Sequence, residues 1–136
     1  YVNTSFGTWS ITPINAGSKF ILEINGHHPH VNVDAANYGG GYKFYRSVAG
    51  GTYSAVTTGH NEAYYQNGVT SGHWWDFNGY GRTWDDPSYT LGQTVTYQYW
   101  FRKSSAGTGA FYAHHTATTT HIDQFTGTVT IMEIAQ

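Results

Sequence analysis

Cysteine is absent from this 136-residue chain, which excludes a disulfide scaffold and thiolate metal sites and leaves the redox compartment open. Charge is scarce: Asp, Glu, Lys and Arg make up 10% of the residues, against about a quarter in ordinary soluble proteins. The six basic residues are scattered and the formal net charge is −2. A phosphate backbone finds little to grip, so nucleic acid is not an expected partner. Leucine occurs only at Leu22 and Leu91 and methionine only at Met132, a shortage of helix formers. No apolar run nears the ~20 residues that cross a bilayer as a helix, and membrane insertion is not expected.

What is abundant points the other way. Aromatic residues reach 18%, with 12 Tyr and 5 Trp, and there are 17 Gly. Aromatic and β-branched residues favour strands, and glycine favours tight turns. The length fits one domain over residues 1–136, large enough to build a core without a metal or disulfide. A secreted, extracellular setting is expected, and Asn3-Thr4-Ser5 is an N-glycosylation triplet. A place in a larger multidomain protein fits the same reading.

Alternation locates the strands. Segment 6–12 reads as one. In segment 18–25, Phe20, Leu22 and Ile24 share a face, with Lys19, Ile21 and Glu23 on the other, and Asn25-Gly26 then signals a turn. Segment 30–34 places Val31 and Val33 inward, and Gly39-Gly40-Gly41 reads as a break. Segments 42–48 and 52–57 are further strands, separated by Gly50-Gly51. Segment 93–103 alternates best: Val95, Tyr97, Tyr99 and Phe101 form one face, and Thr96, Gln98, Trp100 and Arg102 the other. Segments 110–116 and 126–134 finish the chain, the latter with Val129 and Ile131 on one face. The order within 59–81 stays open. The expected fold is all-β, an antiparallel two-sheet sandwich of immunoglobulin-like or jelly-roll type.

Trp74, Trp75, Tyr80, Trp84 and Tyr89 fall close together among Asp76, Asn78, Gly79, Gly81, Arg82 and Asp85. Trp74 and Trp75 are adjacent, so on a strand they take opposite faces and only one can enter a core. A sugar ring suits an exposed aromatic: its axial C–H face is apolar and stacks, while its hydroxyls bond to nearby polar side chains. Trp100 shares a polar strand face with Gln98 and Arg102. The expected carbohydrate-binding set is Trp84, Trp100, Trp74, Trp75, Tyr80, Asp76, Asp85 and Arg82. Against it stands the plainer reading that these rings only fill the core.

Other chemistries fit less well. His27, His28 and His30 cluster, as do His114 and His115 with His121 nearby; His-x-His on a strand puts two imidazoles on one face, a metal-ligating pattern. Loop or sugar-contacting histidines are the simpler reading, and the metal question stays open. The spacing of Asp76, Asn78, Tyr80 and Gly81 opens like a Ca²⁺ loop, but Pro87 stands where its bidentate Glu should be. No cofactor is expected, Ca²⁺ being the one ion left open. Glycosidic hydrolysis needs two facing carboxylates, and Glu62 with Asp76 or Asp85 is the least poor pair among the eight acids. No catalytic residue is assigned.

The stretch 81–112 (GRTWDDPSYTLGQTVTYQYWFRKSSAGTGAFY) resembles the C-terminal half of β-1,3-glucan-recognition modules. The matching pieces are Trp84, Leu91-Gly92-Gln93, the aromatic strand 95–101 and 109–112. Gln93 replaces the usual Asp, and the N-terminal half gives no clear alignment. The resemblance implies an immunoglobulin-like sandwich that binds glucan through Trp, Asp and Arg. The expected function is therefore non-catalytic binding of a poly- or oligosaccharide such as β-1,3-glucan. The alternatives are a small glycan-active or metal-dependent enzyme and a secreted structural or interaction protein.

Overall fold

The computed structural model describes residues 4–27, 30–33, 38–56, 61–66, 73–76, 79–103, 111–112 and 128–136. These form eleven strands and no helix: β1 (Thr4–Ile11), β2 (Lys19–His27), β3 (His30–Val33), β4 (Tyr38–Val48), β5 (Ser54–Ala55), β6 (Asn61–Gln66), β7 (His73–Asp76), β8 (Gly79–Asp85), β9 (Val95–Lys103), β10 (Phe111–Tyr112) and β11 (Thr128–Ile134). The architecture is an all-β, antiparallel two-sheet sandwich, as expected.

One layer has the order β1-β9-β4, with β5 and β6 both pairing β4. The other has the order β11-β2-β8. A further sheet has the order β10-β3-β7. Its pairs include His30 with Asp76 and Phe111 with Val31.

The core is made of alternate residues from each layer. Phe20, Leu22 and Ile24 of β2 meet Phe44 of β4 and Val95, Tyr97 and Tyr99 of β9. The rings pack tilted, Phe20 against Tyr97 at 6.0 Å and Phe44 against Tyr99 at 4.9 Å, the geometry that suits aromatic quadrupoles. Trp9, Ile11, Val48, Val56, Tyr89, Val129 and Ile131 pack around this cluster. The alternation expected for β2, β11 and residues 95–100 of β9 is the alternation found; the side chains of Phe101 and Arg102 lie outside the described ones.

Two glycine signals read as chain breaks lie inside strands. Gly39-Gly40-Gly41 belongs to β4, which pairs β6 on one side and β9 on the other. The register with β6 shifts between Gly40 and Gly41. Asn25-Gly26 does not turn the chain either. Between Ile24 and His27, β2 advances three residues while β8 advances two, from Gly81 to Gly79. One extra residue makes a β-bulge, a common use of glycine inside a strand.

Two turns do follow from glycine. Gly51 N–H donates to Val48 O at 2.9 Å, and Ala49 and Gly50 between them have φ of 50° and 75°. That is the mirror-image turn suited to a two-residue hairpin. At residues 90–93, Gly92 has φ of 93°, Gln93 N–H bonds back to Thr90 O at 3.0 Å, and the Gln93 side chain accepts from Thr90 N–H at 2.9 Å. Gln93 thus closes this turn, and β9 starts at Val95.

Candidate functional site

The bulge in β2 decides which residues share a face. Before it, odd-numbered residues of β2 lie on the outer face: Ile21 pairs with Trp84 on one side and Met132 on the other. Trp84 is 58% exposed and Met132 37%, while Ile21 between them is buried. The adjacent row holds Arg82, Glu23 and Thr130, with Arg82 Nε 3.9 Å from Glu23 Oε2. On the other side lie Lys19 and Ile134, and Lys19 Nζ is 3.3 Å from Asp86 Oδ2. An exposed indole therefore stands in an apolar row bordered by two ion pairs and the hydroxyl-bearing Thr130.

Asp85, next to Trp84, lies on the opposite face. It pairs with Phe20, is 4% exposed, and spends both carboxylate oxygens across the sandwich. Arg46 of β4 donates to Oδ1 and the Tyr97 hydroxyl donates to Oδ2 at 2.7 Å. Burial, the Asp85 charge and that hydrogen bond push the Tyr97 phenol above its ordinary range, against the pull of Arg46. Asp85 therefore ties the two layers together and is not part of the surface that carries Trp84.

Tyr89 likewise works inside the fold. Its hydroxyl donates to Asn15 O at 2.6 Å and accepts from Ser18 N–H at 2.8 Å, anchoring the connection between β1 and β2. Glu133 holds the same connection from β11, accepting from Ile14 and Asn15 N–H at 3.0 Å each. The Ser18 hydroxyl, followed by these backbone donors, keeps the Glu133 carboxyl below its usual range.

Trp100 sits on the outer face of the other layer, so it and Trp84 occupy opposite sides of the sandwich. Its Nε1–H donates to Gln98 Oε1 at 2.9 Å, and its ring lies 4.9 Å from Tyr45. Gln98 in turn donates to Thr8 Oγ1 at 3.2 Å. This indole is half-buried with its one donor already used.

Trp74, Trp75, Asp76 and Tyr80 lie on β7 and β8. Asp76 pairs with His30, Trp75 with Val31 and Trp74 with Asn32; Tyr112 pairs with His30 and Phe111 with Val31. His28, Asn78, His114, His115 and His121 lie outside the described residues. No group of three or more metal-ligating side chains occurs among the described residues, and none of their helices could cross a membrane, since they form none.

Glu23, Lys19, Ile21, Met132 and Thr130 were not singled out from the sequence. Their signal is pairing with the strand of Trp84, which lies some sixty residues from β2 and about fifty from β11. Comparison with protein-family models, with curated proteins and with solved structures gives no match to this chain.

Proposed function

We propose that the chain binds carbohydrate without cleaving it, on the outer face of β11-β2-β8. The observation that carries this reading is the exposed Trp84 ring, flanked by Arg82, Glu23, Lys19 and Asp86 within two rows. The indole offers a stacking surface for the apolar side of a pyranose, and the flanking groups offer donors and acceptors to its hydroxyls. The low overall charge suits a neutral ligand. The resemblance of residues 81–112 to glucan-recognition modules favours β-1,3-glucan, and it rests on the motif residues alone. A binding role also fits the carboxylates of this region: Glu23, Asp86 and Asp85 are each engaged by a cation, whereas a glycosidase needs two carboxylates facing across a bound sugar.

The test is retention on insoluble β-1,3-glucan, cellulose and chitin, with a reducing-sugar assay on the same samples. Retention on one of them without release of sugar, lost in Trp84→Ala, is the expected result. Release of sugar overturns the non-catalytic part. Retention on none of the three overturns the reading and favours a protein-interaction surface, for which exposed Met132 and Ile134 on the same face are the motivating observation.

A further inference from the structure

On the outer face of β11-β2-β8, apolar contact runs across the strands and not along them. Trp84 of β8 pairs with Ile21 of β2, which pairs with Met132 of β11. Trp84 and Met132 are exposed, and the buried Ile21 lies between them as a floor. Along its own strand Trp84 meets charge on both sides, because the positions two residues away are the exposed Arg82 and Asp86. Neighbouring strands stand about 4.8 Å apart, so Trp84 and Met132 are separated by two spacings, about 10 Å. That is comparable with two linked pyranose rings. Residues on one face of a strand recur every ~6.8 Å, so the flanking rows leave a strip about one ring wide. Ile134, also exposed, widens the strip at the β11 end.

Each side of the strip carries one ion pair. Arg82 Nε lies 3.9 Å from Glu23 Oε2 on one side, and Lys19 Nζ lies 3.3 Å from Asp86 Oδ2 on the other. Solvent-accessible ion pairs hold their groups loosely, so both carboxylates and both cations stay available to hydroxyls. One cation and one anion on each side leave the strip without net charge.

We infer, resting on the carbohydrate reading above, that the bound chain crosses the strands and seats two consecutive sugar rings, one on Trp84 and the next on Ile21 and Met132. Met132 is thus a second contact subsite, and the ion pairs receive the hydroxyls at the two edges of the chain. The ligand class follows from this surface. It is an uncharged, extended chain that turns an apolar ring face to the protein and carries hydroxyls along both edges. A chain bearing carboxylates or sulfates along its edges meets Glu23 on one side and Asp86 on the other, and is disfavoured.

The experiment takes the methyl glycoside, the disaccharide and the tetrasaccharide of whichever of β-1,3-glucan, cellulose or chitin the protein retains. Wild type, Trp84→Ala, Met132→Asn and Met132→Leu are titrated with each, and thermal melting confirms that every variant is folded at the titration temperature. Wild-type affinity should rise about ten-fold from the methyl glycoside to the disaccharide, the scale of one further ring contact. It should then change little on to the tetrasaccharide. Trp84→Ala should weaken all three ligands about ten-fold. Met132→Asn should weaken the disaccharide about four-fold, the scale of one buried methylene group, and leave the methyl glycoside unchanged. Met132→Leu keeps the apolar contact and should bind as wild type does. Three results overturn the two-ring seat and leave the Trp84 site standing: no gain from methyl glycoside to disaccharide, a further steep gain to the tetrasaccharide, or wild-type binding by Met132→Asn at every length while Trp84→Ala is weakened. Equal losses in Met132→Leu and Met132→Asn assign the effect to the structure of β11 and overturn the contact. Retention on none of the three polysaccharides removes both proposals.

Discussion

The Tyr97 hydroxyl reaches across the sandwich to Asp85, 2.7 Å away. Arg46 holds the other oxygen of the same carboxylate, so one acid residue joins strands β4, β8 and β9. Truncating one partner of a buried ion pair strands the other charge and costs about 3–5 kcal/mol. Arg46 keeps some solvent access, so Asp85→Ala should fall at the low end of that range. Tyr97→Phe removes one hydrogen bond to a charged group, worth about 1.5–3 kcal/mol. Chemical denaturation of both variants checks this, and a loss below about 0.5 kcal/mol in each would show that the cross-sheet tie contributes little.

The same contact sets an alkaline response. The folded Tyr97 phenol is held above its ordinary range, chiefly by burial and then by Asp85. A raised pKa gives stability that is complete below the unfolded value, about 10 for tyrosine, and is lost as pH rises beyond it. The advantage of wild type over Tyr97→Phe should therefore be constant up to about pH 10 and shrink above it. Unfolding curves across pH 8–11.5 read this directly, and a widening gap above pH 10 would contradict it.

Glu133 responds in the opposite direction. Its carboxyl is lowered by the Ser18 hydroxyl and by Ile14 and Asn15 N–H. A lowered pKa gives stability that is present above the unfolded value, about 4.3, and is lost as pH falls through the folded one. Glu133→Gln should melt below wild type at pH 7, and the two should converge in strong acid. A gap that persists unchanged at about pH 2 would assign the effect to packing instead of charge.

These contacts mark the limit of what the sequence made legible. The alternation in 18–25 and 93–103 could be read because each strand buries one face and the burial repeats every second residue. Trp84 was readable as a surface ring from its Gly- and Asp-rich surroundings, which read as a loop, although it lies on β8 (Gly79–Asp85). Asp85 was misplaced with it. Its partners Tyr97 and Arg46 lie 12 and 39 residues away, and no local pattern announces a carboxylate turned into a core. Trp74 and Trp75 could not be told apart locally either. The bulge at Asn25-Gly26 was equally hidden, because those two residues read more simply as a turn.

Ala49 offers a gain in stability. It is the one described non-glycine residue with positive φ, at 50°, in a turn that favours Asn-Gly. The left-handed conformation costs an alanine about 1–2 kcal/mol and an asparagine less. Ala49→Asn should stabilise the protein by about 0.5–1 kcal/mol, a rise of roughly 2–5 °C in Tm. A lower Tm would mean that the geometry of the Val48–Gly51 hairpin is not set by this residue.

Trp84 and Trp100 provide the most direct separation of binding from folding, because they lie on opposite outer faces. Trp84 is largely exposed, so Trp84→Ala should change stability by less than about 1 kcal/mol. It should weaken polysaccharide binding by about 1–3 kcal/mol, the cost of losing one stacking ring. Trp100→Ala should behave inversely. It removes a ring packed 4.9 Å from Tyr45 and leaves Gln98 Oε1 without its 2.9 Å donor. An aromatic pair is worth about 0.5–1.5 kcal/mol beyond burial, so a total stability loss of about 1.5–3 kcal/mol is expected. Binding at the Trp84 face should be unchanged, measured well below the melting point of the variant. Equal loss of binding in both variants would place the sugar on both sides of the sandwich and require two sites. Loss in Trp100→Ala alone would move the binding surface to the face formed by Tyr45, Gln98 and Trp100.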